Sequence, residues 1–369
     1  MLMKWKEQLL NLTAYQPGRT IEEVKREFNL EKIVKLASNE NPFGSSPKVL
    51  EELKKVDGSF ALYPDGYATN LRNALAEFLQ VSPQELILGN GSDDLILMIS
   101  RALLMPGRNT VMASHTFGQY KHNAVVDGAE VREIPLTAKG EHDLPAMLEQ
   151  IDENTSVVWV CSPNNPTGTY NSESSLVEFL KQVPEDVLVV LDEAYYEYVI
   201  AEDYYDALEL AKQFNNLIVL RTFSKIYGLA SFRVGYGVAN SNLIQTLEPI
   251  REPFNVNTLG QIATQAAIKD QDFVTNCNIR NREGLELLYA FCEEHGLNYF
   301  PSQTNFVLVD FKVDGNEVFQ YLMKHGYIVR SGVPLGFPTS VRITIGSKEE
   351  NEGLINVLAK FLQEKAAAI

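Results

Sequence analysis

The apolar run Val187-Leu-Val-Val-Leu191 leads directly into the polar stretch Asp192-Glu-Ala-Tyr-Tyr196. A run of leucine and valine without polar alternation is typical of a strand that is buried on both faces of a parallel sheet. Further runs of this kind alternate with helix-like stretches and lie at residues 86–88, 110–113, 157–160 and 217–220. The alternation predicts an α/β fold in which helices flank a central, mostly parallel sheet.

The carboxyl-terminal third of the chain has a different pattern, which predicts a second, smaller α/β domain. A long helix is predicted over residues 262–295. Strands are predicted after it at 305–311, 327–331 and 340–346, and helices at 316–325 and after Ser347. Ser347 and Glu350 have the spacing of a capping box at the start of the last helix.

Chain length indicates more than one domain, because 369 residues exceed the size of a single hydrophobic core. We expect an N-terminal segment that joins the small domain, a large domain that binds the ligand, and a small C-terminal domain. Their expected bounds are 1–40, 41–265 and 266–369.

Composition excludes several classes of function. A formal net charge of −16 argues against a nucleic-acid partner, whose phosphates require an excess of lysine and arginine. The three cysteines are too few and too widely spaced for a disulfide framework, which fits a reducing compartment. No apolar run approaches the roughly 20 residues of a membrane span, and the first residues lack the apolar core of a signal peptide. We therefore expect a cytoplasmic protein without a membrane partner.

Polar segments follow the predicted strands at the edge where open parallel sheets bind ligands. They are Gly89-Asn-Gly-Ser-Asp-Asp94, His115-Thr-Phe117, Ser162-Pro-Asn-Asn-Pro-Thr-Gly168, Asp192-Glu-Ala-Tyr-Tyr196 and Arg221-Thr-Phe-Ser-Lys225.

Each of these segments, taken alone, has a plainer interpretation. A lysine after a strand is usually solvated, and an aspartate there usually caps a helix. Asn-Pro-Thr-Gly is a common turn composition. The first segment lacks the third glycine of a dinucleotide-binding motif, because Asp94 stands at that position.

One ligand, pyridoxal 5′-phosphate (PLP), accounts for all of these segments together. Its aldehyde requires a lysine, its pyridine nitrogen a carboxylate, its ring oxygen hydrogen-bond donors, and its ring a stacking partner. We expect Lys225 to bond to the aldehyde and later to carry the α-proton. Asp192 is expected to keep the ring nitrogen protonated, Tyr195 and Asn165 to donate to the ring oxygen, and Phe117 to cover one ring face.

The phosphate of PLP requires a separate cradle. Backbone N–H groups around Ser92 and Asp93, at the start of a predicted helix, are suited to an anion. Ser224 and Arg233 supply a hydroxyl and a guanidinium that can bind the same phosphate.

The motifs SPNNPTG, DEAYYEY and RTFSKIYGLASFRVGY, in this order, resemble those of the fold-type I PLP-dependent aminotransferases. Within that group the chain is most similar to the histidinol-phosphate aminotransferase family, and the resemblance covers nearly the whole chain. Further landmarks that carry it are LTAYQPGR, LASNENPFG, LYPDGY, GNGSDDLI, YIVRSG and VRITIG.

The resemblance implies roles for residues that the strand pattern does not place. Tyr63 would reach the cofactor phosphate of a neighbouring subunit, which implies an obligate homodimer with shared sites. Tyr15, Arg330 and Arg342 would bind the anionic end of the substrate, and Asn39 would lie near it. The plainer interpretation of the two arginines is that of exposed charges on strand edges.

Three residues depart from the commonest pattern of the family. Ala14 stands where proline often precedes the tyrosine, Phe117 where tyrosine is common, and Ser231 where glycine is usual. Phe117 keeps the stacking ring but lacks a hydroxyl. None of the three replaces Lys225 or Asp192.

The resemblance implies transfer of the amino group from L-histidinol phosphate to 2-oxoglutarate, which gives imidazole-acetol phosphate and glutamate in histidine biosynthesis. An aromatic amino-acid aminotransferase is the nearest alternative, since the motifs barely separate the two. A phosphothreonine decarboxylase shares the fold, the cofactor residues and a phosphate-bearing substrate. A non-enzymatic cofactor-binding regulator would be expected to carry an added DNA-binding domain or to lack the lysine, whereas Lys225 is present.

Overall fold

A seven-stranded sheet forms the largest layer of the computed structural model, which describes residues 3–12, 18–58 and 60–367. Gly235–Val238 runs antiparallel to both of its neighbours, and the other strands are parallel to one another. The strand order is Leu86–Gly89, Gly235–Val238, Leu217–Thr222, Leu188–Asp192, Thr155–Cys161, Asn109–Ala113 and Glu130–Ile134. The predicted mostly parallel sheet and its five predicted strands are confirmed.

Burial on both faces explains why these five strands are continuously apolar. Along Thr155–Cys161, Trp159 packs beside Met112 and the stacked ring of Tyr120 on one face. Val158 and Val160 pack on the other face in a separate core cluster. Successive side chains of a strand point to opposite faces, so a strand between two helical layers needs an apolar residue at every position.

Helices cover both faces of the large sheet. Several begin at a side-chain cap, as at Ser172, whose hydroxyl accepts from the N–H of Ser175. Their bounds are Pro47–Leu53, Thr69–Leu79, Ser92–Leu103, Gln119–Asp127, Leu144–Leu148, Glu173–Gln182, Ala207–Gln213, Ser241–Leu247 and Thr258–Ala267. Single 3₁₀ turns lie at Glu7–Asn11, Pro83–Glu85, Tyr196–Tyr198, Ala230–Phe232, Glu248–Ile250 and Val333–Leu335.

The prediction of a single helix over residues 262–295 is wrong, because the chain forms two helices, Thr258–Ala267 and Gln271–Glu294. Asp270 lies at the break. Its carboxylate accepts a hydrogen bond from Ser46 and lies 3.4 Å from the ammonium of Lys48. These contacts hold the chain in a non-helical turn at Asp270, and the apolar periodicity alone does not reveal them.

A four-stranded antiparallel sheet forms the centre of the smaller α/β domain. Its order is Arg330–Ser331, Ser340–Thr344, Phe306–Asp310 and Asn298–Tyr299. The helices Gly315–Lys324 and Lys348–Ala367 pack on it. The predicted capping box is present, since the N–H of Ser347 donates to Glu350 (2.8 Å) and the N–H of Glu350 donates to the Ser347 hydroxyl (3.2 Å).

The predicted strand 327–331 is divided between two sheets. Tyr327–Ile328 pairs in parallel with Val34–Lys35, and Arg330–Ser331 pairs with Ser340–Thr344. The helix Ile21–Phe28 packs beside this pair. The N-terminal segment thus hydrogen-bonds to the small domain, whereas the exact domain bounds at residues 40 and 265 stay a prediction. Among the described helices, none is both long and apolar enough to span a membrane.

Two glycines with left-handed backbones provide a matched test of packing. Gly228 has φ +67°, and a Cβ there would overlap the carbonyl oxygen of Gly44. Gly107 has φ +88°, and a Cβ there would meet no described atom within 4 Å.

We expect Gly107→Ala to lower the free energy of unfolding by about 1–2 kcal/mol, because alanine disfavours the left-handed backbone. Gly228→Ala should lower the free energy of unfolding by about 3 kcal/mol more, because the obstructing atom belongs to the backbone and cannot turn away. Urea unfolding of both variants beside the parent protein measures the difference. Equal losses for the two variants would contradict the close approach of Gly228 to Gly44.

Candidate active site

A cavity of about 420 Å³ lies at the carboxyl edge of the large sheet, and strands of the small domain also line it. Most of the residues proposed from the sequence for cofactor and substrate lie along its wall. They are Asn39, Ser92, Asp93, Phe117, Asn165, Asp192, Tyr195, Ser224, Lys225, Arg233, Arg330 and Arg342. Their convergence is observed, and the individual roles assigned to them stay predictions.

Two of the proposed residues are not among these lining residues. Tyr63 is 81% exposed and its ring stacks on Phe254 at 4.6 Å, in a surface groove away from the cavity. Tyr63 therefore does not reach the cavity of its own chain. Tyr15 lies outside the described residues.

Asp192 ends the Leu188–Asp192 strand and presents a buried carboxylate to the cavity. Its Oδ2 accepts from the Tyr120 hydroxyl (2.6 Å) and its Oδ1 from the N–H of Ala194 (3.1 Å). Burial raises the pKa of this carboxyl to about 6, although both hydrogen bonds lower it. A cationic N–H group in the cavity would stabilise the ionised form of the Asp192 carboxyl, which burial disfavours.

Tyr120 was not proposed from the sequence, yet it fixes the orientation of the Asp192 carboxylate. Its ring is held between Trp159, stacked at 4.8 Å, and the edge of Phe117. One sequence signal could have revealed the role of Tyr120. It is a residue that can form hydrogen bonds, lies three positions after the stacking residue Phe117 and stands at the start of a helix.

Lys225 follows the Leu217–Thr222 strand and faces the cavity, with its Nζ 5.6 Å from the centre of the Tyr195 ring. Loss of solvent and, after it, the positive charge of Arg342 lower the pKa of Lys225 to about 8. Arg233 acts in the same direction, whereas Asp93 opposes the shift. A lysine in this state can reach the neutral form that nucleophilic and base chemistry requires.

Two donors face the part of the cavity between Asp192 and Lys225. The Asn165 side-chain oxygen accepts from Arg342 Nη1 at 2.5 Å, which leaves its NH₂ group to donate. The Tyr195 hydroxyl oxygen accepts from Asn39 Nδ2 at 2.9 Å, which leaves its own proton to donate. Burial raises the pKa of Tyr195, so the hydroxyl keeps that proton at neutral pH.

An anion cradle lies at the start of the Ser92–Leu103 helix. The residue before the helix is Gly91, which has no side chain to cap the first amides. Arg233 lies beside them and donates to the Ser224 hydroxyl at 3.2 Å, while its other Nη lies 3.7 Å from the Asp93 carboxylate. Helix amides, a hydroxyl and a guanidinium on one side of a cavity form a donor set suited to phosphate.

Glycines keep this cradle open. A Cβ at Gly91 would lie 2.6 Å from Arg233 Nη2, and a Cβ at Gly235 would overlap the backbone nitrogen of Ser92. A side chain at Gly91 would displace the Arg233 guanidinium, and one at Gly235 would displace the backbone that presents the first helix amides. The residues present therefore fit a phosphate-bearing cofactor.

The small domain supplies two guanidiniums to the opposite side of the cavity. Arg342 is buried and donates to the carbonyl oxygen of Ala37 (2.8 Å) as well as to Asn165. Arg330 is directly opposite Arg342 on the neighbouring strand. The plainer interpretation as an exposed strand-edge charge is wrong for Arg342, and Arg330 is half-buried beside it.

Comparison with known proteins identifies the family. The model of the family described as aminotransferase class I and II matches residues 31–358. A histidinol-phosphate aminotransferase of Bacillus licheniformis is 61% identical over 98% of this chain and 100% of its own. One of Bacillus subtilis is 59% identical with the same coverage. The chain belongs to the histidinol-phosphate aminotransferase family.

Solved structures of this family and its neighbours have the same fold. The histidinol-phosphate aminotransferase of Sinorhizobium meliloti, in complex with pyridoxal-5′-phosphate, superposes with a TM-score of 0.90 at 28% identity and covers 99% of both chains. L-threonine-O-3-phosphate decarboxylase of Porphyromonas gingivalis, at 23% identity, covers 90% of this chain and 100% of its own with a TM-score of 0.79. The latter likeness shows the fold alone.

The lowered pKa of Lys225 can be tested in the cofactor-free protein. Because only the neutral amine reacts, acylation of Lys225 should rise with pH through a midpoint of about 8. Arg342→Ala removes a positive charge that lowers this pKa, and the midpoint should therefore move upward toward the ordinary lysine value. Peptide mass spectrometry across a pH series measures the labelled fraction.

Arg330→Ala is the matched control for that measurement, because it removes the same charge from the neighbouring strand and Arg330 is not one of the main causes of the Lys225 shift. Its midpoint should move less than that of Arg342→Ala. A midpoint near the ordinary lysine value in the parent protein would contradict the shielded environment of Lys225.

Proposed function

We propose that the protein uses PLP to transfer the amino group of L-histidinol phosphate to 2-oxoglutarate, with imidazole-acetol phosphate and glutamate as products. The observation that carries the proposal is the pair of anion subsites in one cavity. Arg233 and the Ser92–Leu103 helix start form one, and Arg330 with Arg342 forms the other. A phosphate-bearing cofactor and an anionic substrate can therefore bind side by side.

The cofactor would be held by residues that already face the cavity. When bound, PLP supplies an electron-accepting ring that stabilises the charge left by removal of the α-proton. Asp192 carries a carboxylate that is suited to a protonated ring nitrogen, and Tyr120 holds that carboxylate in place. Phe117 is placed to cover one ring face, and Asn165 and Tyr195 to donate to the ring oxygen.

Lys225 is the residue that would move the proton. Its Nζ has a pKa of about 8, so it can take a proton from the substrate carbon and return it within the cavity. Before the transfer, the positive charges of Arg342 and Arg233 favour the neutral form of the Lys225 amine. After the transfer, the same charges favour release of the proton from Nζ.

The substrate subsite fits two different anions in turn. Arg342 is fixed by Ala37 and Asn165, and Arg330 stands beside it on the neighbouring strand. A phosphate in the first half-reaction and a carboxylate in the second can each accept charge-assisted hydrogen bonds here.

A homodimer with shared sites is part of the proposal. Tyr63 and several large apolar side chains near it are exposed, and a contiguous patch of this kind marks an interaction surface. The neighbouring exposed side chains are Phe60, Leu62, Tyr67 and Phe254. Burial of this patch against a second copy would bring Tyr63 to the phosphate cradle of that copy.

We place the enzyme in the cytoplasm without nucleic-acid or membrane partners. Its cysteines are free and buried, and burial raises the pKa of the Cys161 thiol to about 12, which is typical of an unreactive packed thiol. The net charge of −16 disfavours phosphate backbones as partners.

Two alternatives use the same cavity. Pro334 and Leu335 give its wall an apolar part that could hold an aromatic side chain, which favours an aromatic amino-acid aminotransferase as second candidate. A phosphothreonine decarboxylase would also use the two arginines. Return of the aminated cofactor to its aldehyde form by 2-oxoglutarate separates both transaminases from the decarboxylase.

The cofactor assignment predicts one specific adduct. Borohydride reduction of the protein with PLP should fix the cofactor irreversibly to Lys225, and peptide mass spectrometry should find it there. Lys225→Ala should fold, bind PLP reversibly and show no turnover. A reduced adduct on another lysine would overturn the assignment.

Substrate choice tests the reaction itself. Each charge-assisted hydrogen bond to a phosphate contributes about 1.5–3 kcal/mol, so two arginines favour histidinol phosphate over histidinol by about two to four powers of ten in kcat/KM. Arg330→Ala should slow the half-reaction with histidinol phosphate more than the one with glutamate, and Arg342→Ala should slow both. Single-turnover absorbance measures each half-reaction.

Two results would contradict the substrate assignment while leaving the PLP chemistry intact. One is equal kcat/KM for histidinol and histidinol phosphate. The other is a clear preference for phenylalanine or tyrosine as amino donor with 2-oxoglutarate as acceptor.

A further inference from the structure

Asn255 binds the phosphate cradle from behind. Its Nδ2 donates to the carbonyl oxygen of Leu88 and to Asp94 Oδ2, both at 2.9 Å. The same Asp94 oxygen accepts from the N–H of Asn90 at 2.8 Å. Leu88 belongs to the strand before the cradle and Asp94 to the first helical turn after it. One amide group thus clamps the two ends of the loop that presents the helix amides.

The other end of the Asn255 side chain connects to the turn that follows Tyr63. Arg251 Nη1 donates to Asn255 Oδ1 at 3.2 Å and to the carbonyl oxygen of Gly66 at 2.8 Å. Glu248 fixes this guanidinium through a 2.8 Å ion pair with Nε. Arg251 therefore links the amide that clamps the cradle to the backbone of the Tyr63 turn.

Phe254 strengthens the same connection. Its ring stacks on Tyr63 at 4.6 Å and lies 3.2 Å from the position that a Cβ of Gly66 would take. Phe254 has φ +58°, a left-handed conformation that is unusual for a bulky residue. The short stretch 251–255 consequently contacts both the phosphate cradle and the loop of Tyr63.

We propose that Asn255 and Arg251 are positioning residues. Within one subunit they connect the phosphate cradle to the loop of Tyr63, and Tyr63 in turn contacts the phosphate cradle of the other subunit. This inference rests on the proposed homodimer with shared sites. Coupling of this kind is reciprocal in binding free energy. Cofactor binding in one site then strengthens the Tyr63 contact in the other, although Asn255 and Arg251 touch neither cofactor.

The first test measures PLP affinity of variant homodimers by titration of the visible absorbance of the lysine-bound cofactor. Asn255→Ala should raise the dissociation constant by about tenfold, because two hydrogen bonds to the cradle are lost. Asn255→Asp keeps the acceptor for Arg251 but places a carboxylate beside Asp94, and it should also weaken the binding of PLP. Asn240→Ala removes a helix cap elsewhere and is the matched control.

The second test uses hybrid dimers in which one subunit carries Lys225→Ala and the other is otherwise unchanged. Only the unchanged subunit can give the lysine-bound absorbance, and its own cradle is intact. Adding Asn255→Ala to the Lys225→Ala subunit should raise the dissociation constant at the unchanged site by about fivefold. Asn255→Asp, which retains the Arg251 contact, should raise it less, and Asn240→Ala should leave it unchanged.

Tyr63→Ala in the Lys225→Ala subunit separates the possible failures. If Tyr63→Ala weakens PLP at the unchanged site and Asn255→Ala does not, the coupling is refuted while the shared site stands. If neither variant changes that site, the shared site is refuted and the coupling with it. Near-normal PLP affinity of the Asn255→Ala homodimer would refute the role of Asn255 at its own cradle.

Discussion

Burial of the large sheet on both faces confines polar chemistry to one edge of the molecule. Apolar residues occupy both faces of Leu188–Asp192 and Leu217–Thr222, and polar side chains follow where these strands end. Asp192 shows the consequence most clearly, because its carboxylate is buried and accepts hydrogen bonds from Tyr120 and Ala194. A charge in such a place is costly unless a cation faces it. The site therefore suits a cationic partner, such as the protonated ring nitrogen of the proposed cofactor.

Much of the fold could be predicted from sequence because buried parallel strands need apolar residues at every position. The strands Glu130–Ile134 and Gly235–Val238 were missed because three of the five residues of the first, at the sheet edge, are charged and the second is half glycine. The helix break at Asp270 and the division of residues 327–331 depend on partners that are distant in sequence. Such long-range contacts leave no local pattern.

The sequence indicates residues that line the cavity where they follow a strand, and it does not indicate residues that act through another residue. Asp192 ends a strand, Lys225 and Asn165 lie within four residues after one, and their chemistry can be inferred from position. Tyr120 and Asn255 lie in helix and loop segments of ordinary composition. Their roles depend on which atoms their hydrogen bonds reach, and only the folded chain shows that.

The two substrate-side arginines differ in a way that suits a reaction with two anionic substrates. Arg342 lies on Ser340–Thr344, which is paired on both sides, and its guanidinium is held by Ala37 and Asn165. Arg330 lies on a two-residue edge strand. Arg342 thus offers a fixed anchor and Arg330 an adjustable one. Arg342 also lowers the pKa of Lys225, so an anion that neutralises Arg342 raises that pKa. In the proposed reaction, binding of an anionic substrate at Arg342 would therefore change the proton affinity of Lys225 at the step in which Lys225 moves the proton.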